Sequence, residues 1–224
     1  MTMSHSSVQK NPDRLRSILA ILTNEFPDTS PPLYYNSPFQ LMIAVLLSAQ
    51  TTDRQVNVVT PELFRRYPDS AAMSQAAQSD VEGIINSVGF FRTKARNMIA
   101  AAAKVEQNFG GVVPSAMEDL VTLPGIGRKS AGVVRAHVYD IPAIIVDTHF
   151  GRVSRRLGFT AQKDPVKLEF DLADWMPVDT WNPASMLLNF HGRRWCTARS
   201  PKCSECPIRH LCPYPVQQSA ESDE

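Results

Sequence analysis

The chain has 224 residues, 43% of them hydrophobic and 20% charged, with a formal net charge of +1. That is enough chain to bury a real core, and the balance is that of a soluble globular protein. The near-neutral sum does not announce a nucleic-acid binder, no apolar segment follows Met1 to act as a secretory signal, and the longest apolar run, 41–47, is too short to span a bilayer. A cytosolic setting is therefore expected.

Residues 1–10 are polar and expected to be disordered, as is the tail 215–224. Asn11-Pro12 supplies a cap and a first-turn proline for a helix with Leu15, Ile18, Leu19, Leu22 and Phe26 on one face. Ser37-Pro38-Phe39-Gln40 repeats the device and opens the most apolar helix, 39–49, which should be central. The polar turn Ser48-Ala49-Gln50-Thr51-Thr52-Asp53 follows. Helices are predicted over 54–67 and, briefly, 71–77. Ser79-Asp80-Val81-Glu82 has the form of a capping box, and its helix should stop at Gly89 as the residue just past the end. An alanine-rich helix over 93–109 ends at Gly110-Gly111, and a further Ser-x-x-Glu box, Ser115 to Glu118, opens a short helix reaching about Thr122.

Leu123-Pro124-Gly125-Ile126-Gly127-Arg128-Lys129 then places a glycine turn directly before a helix over 129–139. Two glycines at i and i+2 allow a sharp turn and leave N–H groups unpaired at the positive end of the helix dipole, a site suited to a phosphate. An ordinary helix-helix turn is the plainer alternative. Residues 141–146 are β-branched but have no partner strand in view, so they read as an extended linker between lobes. Asp147 stands where an N-cap belongs, before a helix over 148–157 that ends at Gly158. Asp164-Pro165 starts a helix to about Trp175, and 183–192 forms a last one. With no alternating strand pattern and no repeat, the fold class is all-α.

All four cysteines fall within 17 residues, spaced Cys196-x6-Cys203-x2-Cys206-x5-Cys212. In a reducing compartment such crowding points to metal rather than to disulfides, and ligand chemistry alone allows tetrahedral zinc or a 4Fe-4S cluster. Arg193, Arg194, Arg199 and Lys202 lie among the cysteines, which suggests a metal-folded basic loop that meets phosphates.

These pieces jointly resemble endonuclease III, a family of helix-hairpin-helix DNA glycosylases. The resemblance is carried by Leu123 to Lys129, by Val146-Asp147-Thr148-His149 with its aspartate 18 residues after Lys129, by His191-Gly192-Arg193, and by the cysteine array. It extends from about Leu15 to Cys212. It implies two helical lobes with a DNA-binding cleft between them: a six-helix barrel with the hairpin, 31–142, and an iron-sulfur lobe made of 11–30 with 143–214. It also implies excision of oxidised pyrimidines from duplex DNA and strand cleavage by β-elimination. No long heptad or obvious dimer surface is visible in the sequence, so a monomer is expected, associated with the nucleoid when bound to DNA. By motif position Lys129 matches the nucleophile and Asp147 the catalytic carboxylate. Gly125, Gly127, Arg128, His149 and Arg193 match the DNA-contacting positions. Cys196, Cys203, Cys206 and Cys212 match ligands of a 4Fe-4S cluster rather than zinc. Gln50 and Phe90 match the turns that wedge into the duplex, with an aromatic where the family usually has a smaller aliphatic; by residue type alone Phe90 reads as core packing and Gln50 as a solvated helix end.

A lysine must shed its proton before it attacks a sugar, and a helix start together with partial burial favours the neutral amine. Three alternatives predict other behaviour. A monofunctional glycosylase of the same fold releases a base with no covalent adduct. A non-catalytic DNA-binding module binds with salt sensitivity and no turnover. A zinc-stabilised interaction protein lacks the brown colour of iron-sulfur ligation.

Overall fold

The computed structural model describes residues 9–215. Among these it is all-helical, with the α-helices α1 Pro12–Glu25, α2 Pro38–Leu47, α3 Asp53–Arg66, α4 Ser70–Ser74, α5 Gln78–Ile85, α6 Phe91–Phe109, α7 Met117–Leu120, α8 Arg128–Val138, α9 Thr148–Arg156, α10 Pro165–Ala173 and α11 Trp181–Arg194. The chain divides into two compact units, Met1–Ser30 with Pro142–Glu224, and Pro31–Ile141. None of the described helices is long and apolar enough to cross a membrane.

In the unit Pro31–Ile141, α2 is the axis. Phe39 to Leu47 are all buried, as a helix apolar on every side must be, and α3, α6 and α8 pack around it. Its start is fixed by the Ser37 side chain, which accepts from Gln40 N at 3.2 Å, while Gln40 Oε1 accepts from Asn36 N at 2.9 Å. The two Ser-x-x-Glu boxes further on do not cap. The N-cap of α5 is Ala77 and that of α7 is Ala116, neither with a side-chain cap bond. Glu82 is taken by Gln78 Nε2 at 2.7 Å, one turn away, and does not reach back. The α5 helix also ends at Ile85, short of Gly89, and the left-handed residue of that turn is Phe90, with φ 59°.

In the other unit, α1, α9, α10 and α11 enclose a core that includes Leu15, Ile18, Leu22, Phe150, Phe159, Leu168, Leu172 and Leu187. Asn11 caps α1 through Arg14 N at 2.9 Å. The reading of 1–10 as disordered fails at its last two positions: Gln9 N donates to Gly158 O at 2.8 Å and Lys10 pairs with Asp171 at 2.9 Å. Residues 1–8 and 216–224 lie outside the described residues, whereas Pro215 lines the cysteine pocket. The 141–146 stretch is extended, and α11 side chains satisfy its backbone. Asn182 Oδ1 accepts from Ala143 N at 2.8 Å and Ser185 Oγ accepts from Ile145 N at 2.9 Å.

Gly192 lets α11 approach α9. A β-carbon there would meet His149 Cβ at 3.0 Å and Val153 Cγ2 at 3.1 Å, both on the facing helix. Gly192→Ala is therefore expected to cost about 1–3 kcal/mol by overpacking, read as a lowered thermal midpoint; an unchanged midpoint contradicts this packing.

Candidate active site and nucleic-acid interface

The hairpin before α8 uses its two glycines differently. Gly125 has φ 82°, and a β-carbon on it would lie 2.9 Å from Leu46 Cδ1 and 3.1 Å from Asn97 Cβ, so the turn is pressed onto α2 and α6. Gly127 is extended, at φ −91° and ψ 175°, and needs no left-handed freedom. As the N-cap it leaves open space before the helix, with nothing within 4 Å of its missing β-carbon. No side chain caps α8, as is also true of α5, α6, α7 and α11, but α8 alone among these five has glycine as its N-cap. Its leading N–H groups and positive dipole end are therefore placed to receive an anion. Arg128 and Lys129 are the first two helical residues, Arg128 half-buried and Lys129 exposed. The partial burial expected for Lys129 is thus absent in the chain alone.

In the other unit Asp147 is half-buried and does cap α9, accepting from Phe150 N at 2.7 Å through Oδ1. Its second oxygen accepts from Asn189 Nδ2 on α11, so both carboxylate oxygens are held and the group has one orientation. Sequence reasoning misses Asn189; it lies two residues before His191-Gly192-Arg193, but nothing local marks it. His149 Nδ1 lies 3.2 Å from Arg152 Nη2, and burial lowers its pKa although Asp147 pulls the other way. Arg193 is exposed.

The structure also brings the Gln50 and Phe90 turns together. Both residues are exposed, Phe90 by 69%, and both have left-handed backbones, with φ 54° and 59°. A β-carbon on Gly89 would stand 3.8 Å from Gln50 O. Core packing for Phe90 is therefore ruled out.

The four cysteines line one pocket together with His191, Trp195, Arg156 and Tyr214. Burial raises the Cys206 thiol and pushes Cys212 up to about 11, so thiolates there require nearby positive charge. Arg156 Nη1 donates to Cys196 Sγ at 3.2 Å and to Thr197 O at 2.7 Å, and its Nη2 donates to Ala198 O at 2.9 Å. Arg152 likewise holds Cys196 O at 3.0 Å and Gly192 O at 2.8 Å. These two arginines of α9 brace the loop, whereas the basic residues singled out in the sequence, Arg193, Arg194, Arg199 and Lys202, are exposed. A single zinc needs sulfurs about 2.3 Å from one point. A 4Fe-4S cluster takes four thiolates as well, and the four thiols around one pocket fit that donor set.

Comparison with known proteins decides the family. Residues 43–178 match the HhH-GPD superfamily of base excision DNA repair proteins, and residues 196–212 match the iron-sulfur binding domain of endonuclease III. Endonuclease III of Synechocystis sp. is 47% identical over 201 residues, covering 89% of this chain and 92% of that protein. The chain belongs to the endonuclease III family. Endonuclease III of Escherichia coli is 38% identical over 197 residues, covering 88% of this chain and 93% of that one. A trapped endonuclease III–DNA covalent intermediate superposes with a TM-score of 0.86 at 38% identity, over 93% of this chain and 99% of that one. As a family member the protein carries a 4Fe-4S cluster.

Proposed function

We propose that this protein is a bifunctional DNA glycosylase and AP lyase that removes oxidised pyrimidines from duplex DNA and cuts the strand through a lysine imine. The observation that carries the reading is the uncapped start of α8, where Lys129 follows an open glycine N-cap. The covalent DNA intermediate of a 38% identical relative supports it independently.

The damaged nucleotide must leave the stack before a protein amine can reach it. Gln50 and Phe90 fill the gap. Gly125 and Gly127 bring α8's N–H groups to a phosphate, with Arg128, His149 and Arg193 as further backbone contacts. Neutral Lys129 Nζ attacks C1′, the C1′–N bond of the base breaks, and the base leaves with a proton. The C1′–O4′ bond then opens, O4′ taking a proton, and the resulting C1′ iminium acidifies the C2′ hydrogen. Its loss expels the 3′ phosphate, and hydrolysis of the imine frees the enzyme. Asp147 takes up a proton or offsets the positive charge growing on the sugar. Lys129 is exposed without DNA, so the substrate supplies the covering that excludes water from the amine.

Cys196, Cys203, Cys206 and Cys212 hold the 4Fe-4S cluster. Base removal transfers no net electron, so the cluster folds and charges the loop. Cys203→Ser is expected to bleach the visible absorption and open the loop to trypsin after Arg199 or Lys202; an unbleached, protease-resistant variant contradicts the ligand assignment.

The test of the activity is a panel of duplexes, each with one modified base. Nicking of oxidised-pyrimidine duplexes by a monomer is the expected result. Base release without nicking points instead to a monofunctional enzyme, and salt-sensitive binding without turnover to a binding module.

A further inference from the structure

Lys94 is a charged residue where an apolar one belongs. It lies on the buried stripe of α6 with Ala95, Met98, Ala101, Ala102 and Val105, and is only 6% exposed. Burial lowers the pKa of its amine, so the position carries a cost that methionine or leucine would avoid. Its Nζ donates to Leu47 O at 2.8 Å and to Thr51 Oγ1 at 2.7 Å. Leu47 closes α2, whose last turn has no basic residue of its own, so Lys94 supplies the cation its C-terminal dipole favours. Thr51 is the neighbour of Gln50. Lys94 N also donates to Phe90 O at 3.0 Å, in the first turn of the helix that Phe90 caps. From the first turn of α3, Gln55 Nε2 donates to Ser87 Oγ, three residues before Phe90, at 2.7 Å.

Two non-glycine residues held left-handed are strained, and such residues persist only where neighbours over-determine them. We propose that Lys94 is a positioning residue for base extrusion, tying the end of α2, the Gln50 turn and the Phe90 turn into one unit so that both side chains enter the duplex together. The proposal rests on the reading of Gln50 and Phe90 as the residues that fill the vacated stack.

The experiment compares Gln50→Ala, Lys94→Met, Thr51→Val, Thr51→Ser and the double variant Gln50→Ala/Lys94→Met. It reads single-turnover base release from an oxidised-pyrimidine duplex, 2-aminopurine fluorescence beside the lesion as a measure of unstacking, and thermal midpoints. Lys94→Met and Thr51→Val are expected to slow unstacking and release on the order of 10-fold, and Thr51→Ser, which keeps the hydroxyl, to stay near the parent. On a duplex with a preformed abasic site, which has no base to extrude, the loss shrinks. In the Gln50→Ala background Lys94→Met adds less than about twofold, because both act on one step. Thr51→Val, at a half-buried loop position, carries the test if Lys94→Met fails to fold. An unchanged rate in Gln50→Ala overturns the stack-filling reading, and the role of Lys94 falls with it. A slow Gln50→Ala beside unaffected Thr51→Val and Lys94→Met, or full additivity in the double variant, overturns the Lys94 proposal alone.

Discussion

Lys129→Gln should abolish the adduct that borohydride traps on damaged DNA and reduce strand nicking by on the order of 10³-fold or more, the scale on which removing a nucleophile acts. Glutamine keeps the length and polarity of the side chain but has no amine to form an imine. The substitution falls on an exposed first-turn position, where folding is expected to change by less than about 0.5 kcal/mol. The proposed phosphate site uses the backbone N–H groups behind Gly127, so duplex affinity should survive. Loss of chemistry with retained binding and an unchanged thermal midpoint is therefore the expected pattern. Parallel loss of binding and folding would place Lys129 in the scaffold instead.

Asp147 allows its two roles to be separated. One oxygen caps α9 at Phe150 N, 2.7 Å away, and the other is held by Asn189 Nδ2. Asparagine is as good an N-cap as aspartate, and the Asn189 amide can turn its oxygen toward the N–H donors that the substituted side chain brings. Asp147→Asn should thus keep the fold within about 0.5 kcal/mol while single-turnover base release falls by about 10²–10⁴, the range for loss of a proton-handling group. Asp147→Ala should lose the same activity and about 1 kcal/mol of stability besides, because the cap goes too. If Asp147→Asn works at the parental rate, the residue is a cap and nothing more.

Much of the fold is legible because its signals are local. Asn11, Ser37, Asp147 and Asp164 each cap the helix they precede, and the uninterrupted apolar run after Ser37 identifies the central helix. Ser79 and Ser115 carry the same pattern but do not cap. Each helix begins after an alanine, and Glu82 is engaged one turn away, a competition that the four-residue motif does not contain. The left-handed position expected of Gly89 falls to Phe90; the next helix starts directly after that turn, so Phe90 becomes its N-cap. The contacts of Lys94 and Asn189 cannot be read from the sequence. Their partners lie 47 and 42 residues away, and only the fold brings them together. For Lys94 a trace exists in its place on an otherwise apolar stripe of α6.

The central claim is tested most directly by digesting the borohydride-reduced protein–DNA adduct and sequencing the modified peptide by mass spectrometry. The account predicts the deoxyribose remnant on Nζ of Lys129 and on no other amine. A remnant on a different lysine or on the chain's amino terminus, or no adduct at all from a duplex the protein nicks, would contradict it.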